Sequence, residues 1–119
     1  MRQYRLTQAA QGDIVDILAW SHEQFGAEAR LRYEALMVAA MRDIAAQSGD
    51  LGGTSRPELG EGVYSWHLRR SRDRSTSGPV HRPRHFLLYR LDHEVVVIGR
   101  VLHDAMGLRR HLNPESSWD

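Results

Sequence analysis

"HFLLYRLDHEVVVIGRVLH", residues 85–103, decides the fold. Its two halves are apolar and rich in branched and aromatic side chains, which favour extended backbone. Asp92-His93 interrupts them, so the stretch predicts two strands, 84–91 and 94–102, joined by a tight hairpin. Alternation puts Arg84, Phe86 and Leu88 on one face and His85, Leu87 and Tyr89 on the other. Val95 to Ile98 is apolar on both faces, which marks the second strand as central in its sheet.

Working outward, "VYSWHLRR" (63–70) alternates Tyr64, Trp66 and Leu68 against polar neighbours and predicts a half-buried strand. "SRDRSTSGPVHRP" (71–83) and the glycine-rich "GDLGGTSRPELGEG" (49–62) predict loops. Further upstream the period changes. Thr7 stands where a helix cap belongs, and Ile14, Ile17 and Leu18 follow at helical spacing, with Trp20 extending the apolar surface. Gly26 ends that helix. A second helix, 27–47, carries Tyr33, Met37, Ala40 and Ile44 as its stripe. Met37 and Met41 read as core, with part of the helix adaptable to a partner helix. "MRQYRLT" predicts a short first strand. "DAMGLRRHL" predicts one or two helical turns, anchored by Leu108 and Leu112, and 113–119 a frayed tail.

The expected order is β-α-α-β-β-β with a short C-terminal helix. This is an α+β fold in which a helical hairpin packs on one face of a small, mainly antiparallel sheet. A chain of 119 residues predicts one domain spanning 1–119. Two helices cover one sheet face, so a partner must cover any apolar residues on the other.

Apolar residues make up 41% of the chain, a normal globular share. There is no cysteine, which excludes disulfide scaffolds and thiolate zinc sites. The seven histidines, at 22, 67, 81, 85, 93, 103 and 111, include no HxH pair, and their one i, i+4 pair, His81 and His85, spans Pro83 and so does not lie on one helix face; no metal or other cofactor is expected. The first twenty residues lack a signal-peptide core, and the longest apolar run, Ala35 to Met41, is too short to span a bilayer. A cytoplasmic protein without a membrane partner is expected. Net charge is only +1, but residues 1–61 balance at −3 and residues 62–119 at +4. Seven arginines and one acid lie between Trp66 and Arg90. That basic half points to an acidic protein or a nucleic acid.

"YRLTQAAQGDIVDILAWSHEQFG", the hairpin "HFLLYRLDHEVVVIGRVLH" and the ending "VLHDAMGLRRHL" together resemble the RelE/ParE superfamily of type II toxins, in its ParE branch. The resemblance runs over roughly residues 3 to 112. It departs at Gly107, where family members often carry aspartate after the methionine. It implies a toxin that binds and blocks DNA gyrase. It also implies a ParD-like antitoxin whose C-terminal segment wraps the toxin, with operator DNA reached only through that antitoxin. The residues expected to contact target or antitoxin are Arg69, Arg84, Arg100, His103, Met106, Arg109 and Arg110.

The superfamily's other activity, ribosome-dependent cleavage of messenger RNA, is the alternative. Metal-free cleavage needs a base, an acid and cations to stabilise the phosphorane. His85 or His103, Arg84, Arg100 and Tyr89 are the candidates. Alternation places Arg100 and His103 on opposite strand faces unless a bulge intervenes, so binding is favoured over catalysis. A third reading is a toxin repurposed to act only as a co-repressor with its antitoxin. His103-Asp104 also has a structural reading, in which Asp104 caps the terminal helix.

Overall fold

The predicted hairpin forms. In the computed structural model, which describes residues 2–47, 52–75, 78 and 80–105, strands β4 (His85–Asp92) and β5 (Val95–His103) pair antiparallel. His93 takes the left-handed conformation, φ 56°, that the tight turn requires. Strand β1 (Gln3–Leu6) lies parallel to β5, with Gln3 opposite Val95 and Leu6 opposite Ile98. On the other side β3 (Tyr64–His67) pairs with β4. A two-residue strand β2 (Thr54–Ser55), inside the stretch read as a loop, closes the sheet in the order β1-β5-β4-β3-β2. Gly53 beside it leaves room for the Tyr89 hydroxyl and the Ser65 carbonyl, against which a Cβ would collide.

Helix α1 (Gln8–Phe25) and helix α2 (Ala27–Ala46) meet at Gly26, whose φ of 92° suits glycine. They pack on one sheet face. Met37, Ala40 and Ile44 of the predicted stripe are buried there with Leu36 and Met41. They meet Leu87, Tyr89, Val96, Ile98 and Val101 from the strands. The order of elements and the layering are those expected of the α+β fold, with β2 added. The expected C-terminal helix, with Leu108 and Leu112, and the tail 113–119 lie outside the described residues.

The far sheet face holds Phe86, Leu88 and Leu102, buried with Val63 and with Leu59 packed against them. Leu59 belongs to a 3-10 turn, Pro57–Leu59. Leu87, Tyr89, Val96 and Ile98 lie on the opposite face, under the helices.

A second 3-10 helix, Leu68–Arg74, occupies part of the segment expected to be strand and then loop. A hydrogen-bond relay pins it to α2. The Trp66 indole N–H donates to Ser71 Oγ at 3.0 Å, and Ser71 donates to Asp43 Oδ2 at 2.5 Å. Each buried polar atom in the relay thereby finds its partner.

Strand β5 outruns β1. Register with β4 shifts between Leu88 and Tyr89, leaving Gly99 as the extra residue of a bulge. Helix α1 supplies what the missing neighbour would have. Thr7, its cap, accepts from Ala10 N and donates through Oγ1 to the Gly99 carbonyl at 2.8 Å. Asp13 Oδ2 accepts the Val101 N–H at 2.9 Å, while its carboxylate receives the Arg100 guanidinium at 2.7 and 3.0 Å. Asp13→Ala strips that edge and leaves a half-buried guanidinium, so we expect a loss of about 2–4 kcal/mol in urea unfolding. The double change Asp13→Ala with Arg100→Met should recover part of that loss.

Candidate functional site

The end of β5 and the start of β4 put two imidazoles side by side. His85 and His103 are register partners, and their rings meet edge to face with centroids 5.1 Å apart. No irregularity separates Arg100 from His103, so the two point to opposite faces, with His103 on the helix side. From α2, the Tyr33 hydroxyl reaches His85 Nδ1 at 2.6 Å. The same oxygen accepts the Arg84 backbone N–H at 3.1 Å. Its own proton is therefore left for His85 Nδ1, which places the His85 proton on Nε2. Burial pushes the Tyr33 phenol up to about 12, so it holds that proton. Burial, and then the neighbouring His103, pull His85 down to about 4.

The same tautomer recurs. His103 Nδ1 accepts from Ala105 N at 3.0 Å, and His67 Nδ1 accepts from Arg69 N at 3.1 Å. His67 Nε2 then donates to Asp104 at 3.0 Å. Asp104 also receives the Arg84 side chain at 3.1 Å. The His67 hydrogen bond, with Arg84 behind it, holds the Asp104 carboxyl below the usual carboxylate range. Asp104 thus ties β3 to the end of β5. The alternative that it caps a following helix concerns residues outside those described.

A groove of about 860 Å³ opens beside this cluster. One wall is α1, with Ile17, Trp20 and Phe25; the other is the 80–85 segment, with Val80, Arg82 and Arg84. Arg32 and Tyr33 of α2, with His85 and His103, lie between the walls, and Asp16 of α1 adds one carboxylate to the lining. Trp20 and Phe25 stack edge to face at 5.7 Å, yet are 55% and 68% exposed. Two large aromatics left in water beside a concavity mark a binding surface.

Of the candidate residues, Arg84 and His103 come together at this groove. Arg69 lies on the exposed side of the second 3-10 helix. Arg100 is held by Asp13 at the free edge of β5, away from the groove, and Tyr89 is fully buried, stacked on Tyr64 at 5.8 Å. Met106, Arg109 and Arg110 lie outside the described residues. The catalytic set His103, Arg100, Arg84 and Tyr89 therefore does not converge. In the sequence Tyr33 reads as core and Trp20 as an extension of the helix's apolar surface. A signal existed: Trp20 sits about 60° round the helix from Ile17, away from the Leu18 side. Among the described residues, no group of three or more histidines or carboxylates is placed to hold a metal ion.

His85 binds its proton less readily when folded than when unfolded. The unfolded chain takes up more protons between about pH 4 and 6.5, so stability falls as pH drops through that window. Melting temperatures from pH 7.5 to 4.5 should show the decline, and His85→Gln should flatten it. An unchanged slope in His85→Gln would refute this assignment.

Residues 4–108 match the family model described as "ParE toxin of type II toxin-antitoxin system, parDE". The chain is 31% identical over 112 residues to Toxin ParE1 of Caulobacter vibrioides, covering 94% of this chain and 99% of that protein. Its fold resembles a solved chain from the chromosomal ParDE TA system of P. aeruginosa, with a TM-score of 0.63 and 18% identity. That match covers 87% of this chain and 96% of the other. Hairpin, helices and matched length agree: the chain belongs to the ParE toxin family of type II toxin–antitoxin systems.

Proposed function

We propose that this toxin is a cytoplasmic inhibitor of DNA gyrase that works by binding, and that a ParD-like antitoxin neutralises it by seating an apolar, acidic segment in the groove. The groove carries the reading. Its apolar walls suit side-chain anchors, and Arg32, Arg82 and Arg84 at its margin suit carboxylates. The donor-only faces of His85 and His103 suit carbonyl acceptors. Binding is favoured over catalysis because a general base needs an open lone pair. Both imidazoles already use theirs, on Tyr33 and on Ala105. Among the described residues, no helix is long and apolar enough to cross a membrane.

One observation favours messenger RNA cleavage instead: two histidines and Arg84 do share a groove. His103→Gln separates the readings. It should abolish toxicity only if His103 is a reagent, provided folding and antitoxin binding are kept.

Gyrase supercoiling of relaxed plasmid, with toxin refolded free of antitoxin, tests the main reading. Dose-dependent inhibition reversed by antitoxin is expected; none from folded protein would overturn it. For the groove, Trp20→Ala should weaken antitoxin binding by about tenfold or more in calorimetry, with circular dichroism unchanged. Unchanged affinity would remove the groove from the antitoxin site.

A further inference from the structure

The 3-10 helix Leu68–Arg74 presents a surface that the groove does not use. Leu68 and Ser71 are its buried positions; Arg69, Arg70, Arg72, Asp73 and Arg74 are exposed. A 3-10 helix repeats every three residues, so Arg69 and Arg72 share a face, with their backbones about 6 Å apart along the axis. None of these five lines the groove. Arg74 is neutralised by Asp43, and Arg72 donates one N–H to the His81 carbonyl. Among the described residues, the Arg69 side chain has no ion-pair partner. The turn is tied to α2 by the relay from Trp66 through Ser71 to Asp43. Arg70 lies over Trp66 at 4.0 Å, so that indole offers no open face.

We propose that this arginine turn binds the phosphate backbone of duplex DNA, independently of sequence, while the groove is occupied by antitoxin. Three features select this partner. An acidic peptide takes most of its affinity from apolar anchors, and the exposed side of this turn has none. Single-stranded nucleic acid is held by stacking on open aromatic rings, and the turn's aromatic is covered. A duplex backbone needs only fixed cations at phosphate spacing. Two steps along one strand advance about 7 Å along the axis, close to the separation of Arg69 and Arg72. The turn would therefore add phosphate contacts to whatever bases the antitoxin reads, and would make the toxin itself a DNA-facing component of the complex.

The test uses the purified toxin–antitoxin complex and a random-sequence duplex of about 30 base pairs, titrated between about 50 and 200 mM salt. Both complexes carry the same antitoxin, so its own DNA contacts cancel in the comparison. Arg69→Ala with Arg72→Ala should weaken binding about tenfold at the lowest salt and reduce the salt slope by about two. Arg69→Lys with Arg72→Lys should keep the slope, because phosphate accepts a point charge. Arg5→Ala, on β1 at the far sheet edge, should change neither. An unchanged slope in the double alanine complex would overturn the proposal. So would loss of antitoxin from that complex, which would assign the turn to a protein partner. This outcome is separate from the gyrase reading, which the supercoiling assay decides without the duplex.

Discussion

A strand edge that its neighbour abandons halfway is the constraint on which the molecule turns. Strand β1 pairs with β5 only from Val95 to Ile98, and β5 continues to His103. Unpaired backbone groups in a buried strand cost free energy comparable to lost hydrogen bonds. Helix α1 removes that cost with side chains, Thr7 on the Gly99 carbonyl and Asp13 on the Val101 N–H. The helix is thereby locked against the far half of β5. Its opposite end, with Trp20 and Phe25, then overhangs His103 and makes one wall of the groove.

The bulge at Gly99 matters for the same reason. It reverses the alternation of β5 midway, so Val96 and Ile98 and then Val101 and His103 all face the helices. Without the extra residue, His103 would join Leu102's present side and the imidazole pair with His85 would not form. Polar groups then accumulate at the open end of an apolar layer: Tyr33, His85 and His103, with Asp104 and His67 tying off the strand behind them. Each ring nitrogen facing inward accepts, so the outward ones donate. The surface is built to meet acceptors, whatever partner brings them.

Much of this was legible in the sequence. The hairpin, both helices, the Thr7 cap and the Gly26 corner follow from local rules, because local residues make them. The opposed faces of Arg100 and His103 followed from strand parity, and Gly99 inside a strand is itself a bulge signal. The remainder depended on distant partners. Tyr33 sits on a helical stripe and reads as core until its hydroxyl finds His85, 52 residues on. Asp13 reads as a solvated helix residue until Arg100 arrives. Strand β2 is two residues long and owes its extended form to β3, so its own composition, set among glycines, suggested a loop. The turn 68–74 continues the alternation of β3 in pattern, but Ser71 and Trp66 draw it toward Asp43 instead.

The parallel pairing of β1 with β5 also bears on when the sheet and its groove are completed during synthesis. Thr7 and its acceptor on Gly99 are 92 residues apart, and contacts of such separation form late because loop closure precedes any reward. The helical hairpin is local and forms early as the chain emerges from N-terminus to C-terminus. It then waits with its apolar stripe exposed until β4 and β5 follow. A chain ended before β5 lacks the strand that joins β1 to β4, and it lacks His103, the second imidazole of the groove. The fold thus ties completion of the groove to the last strand among the described residues.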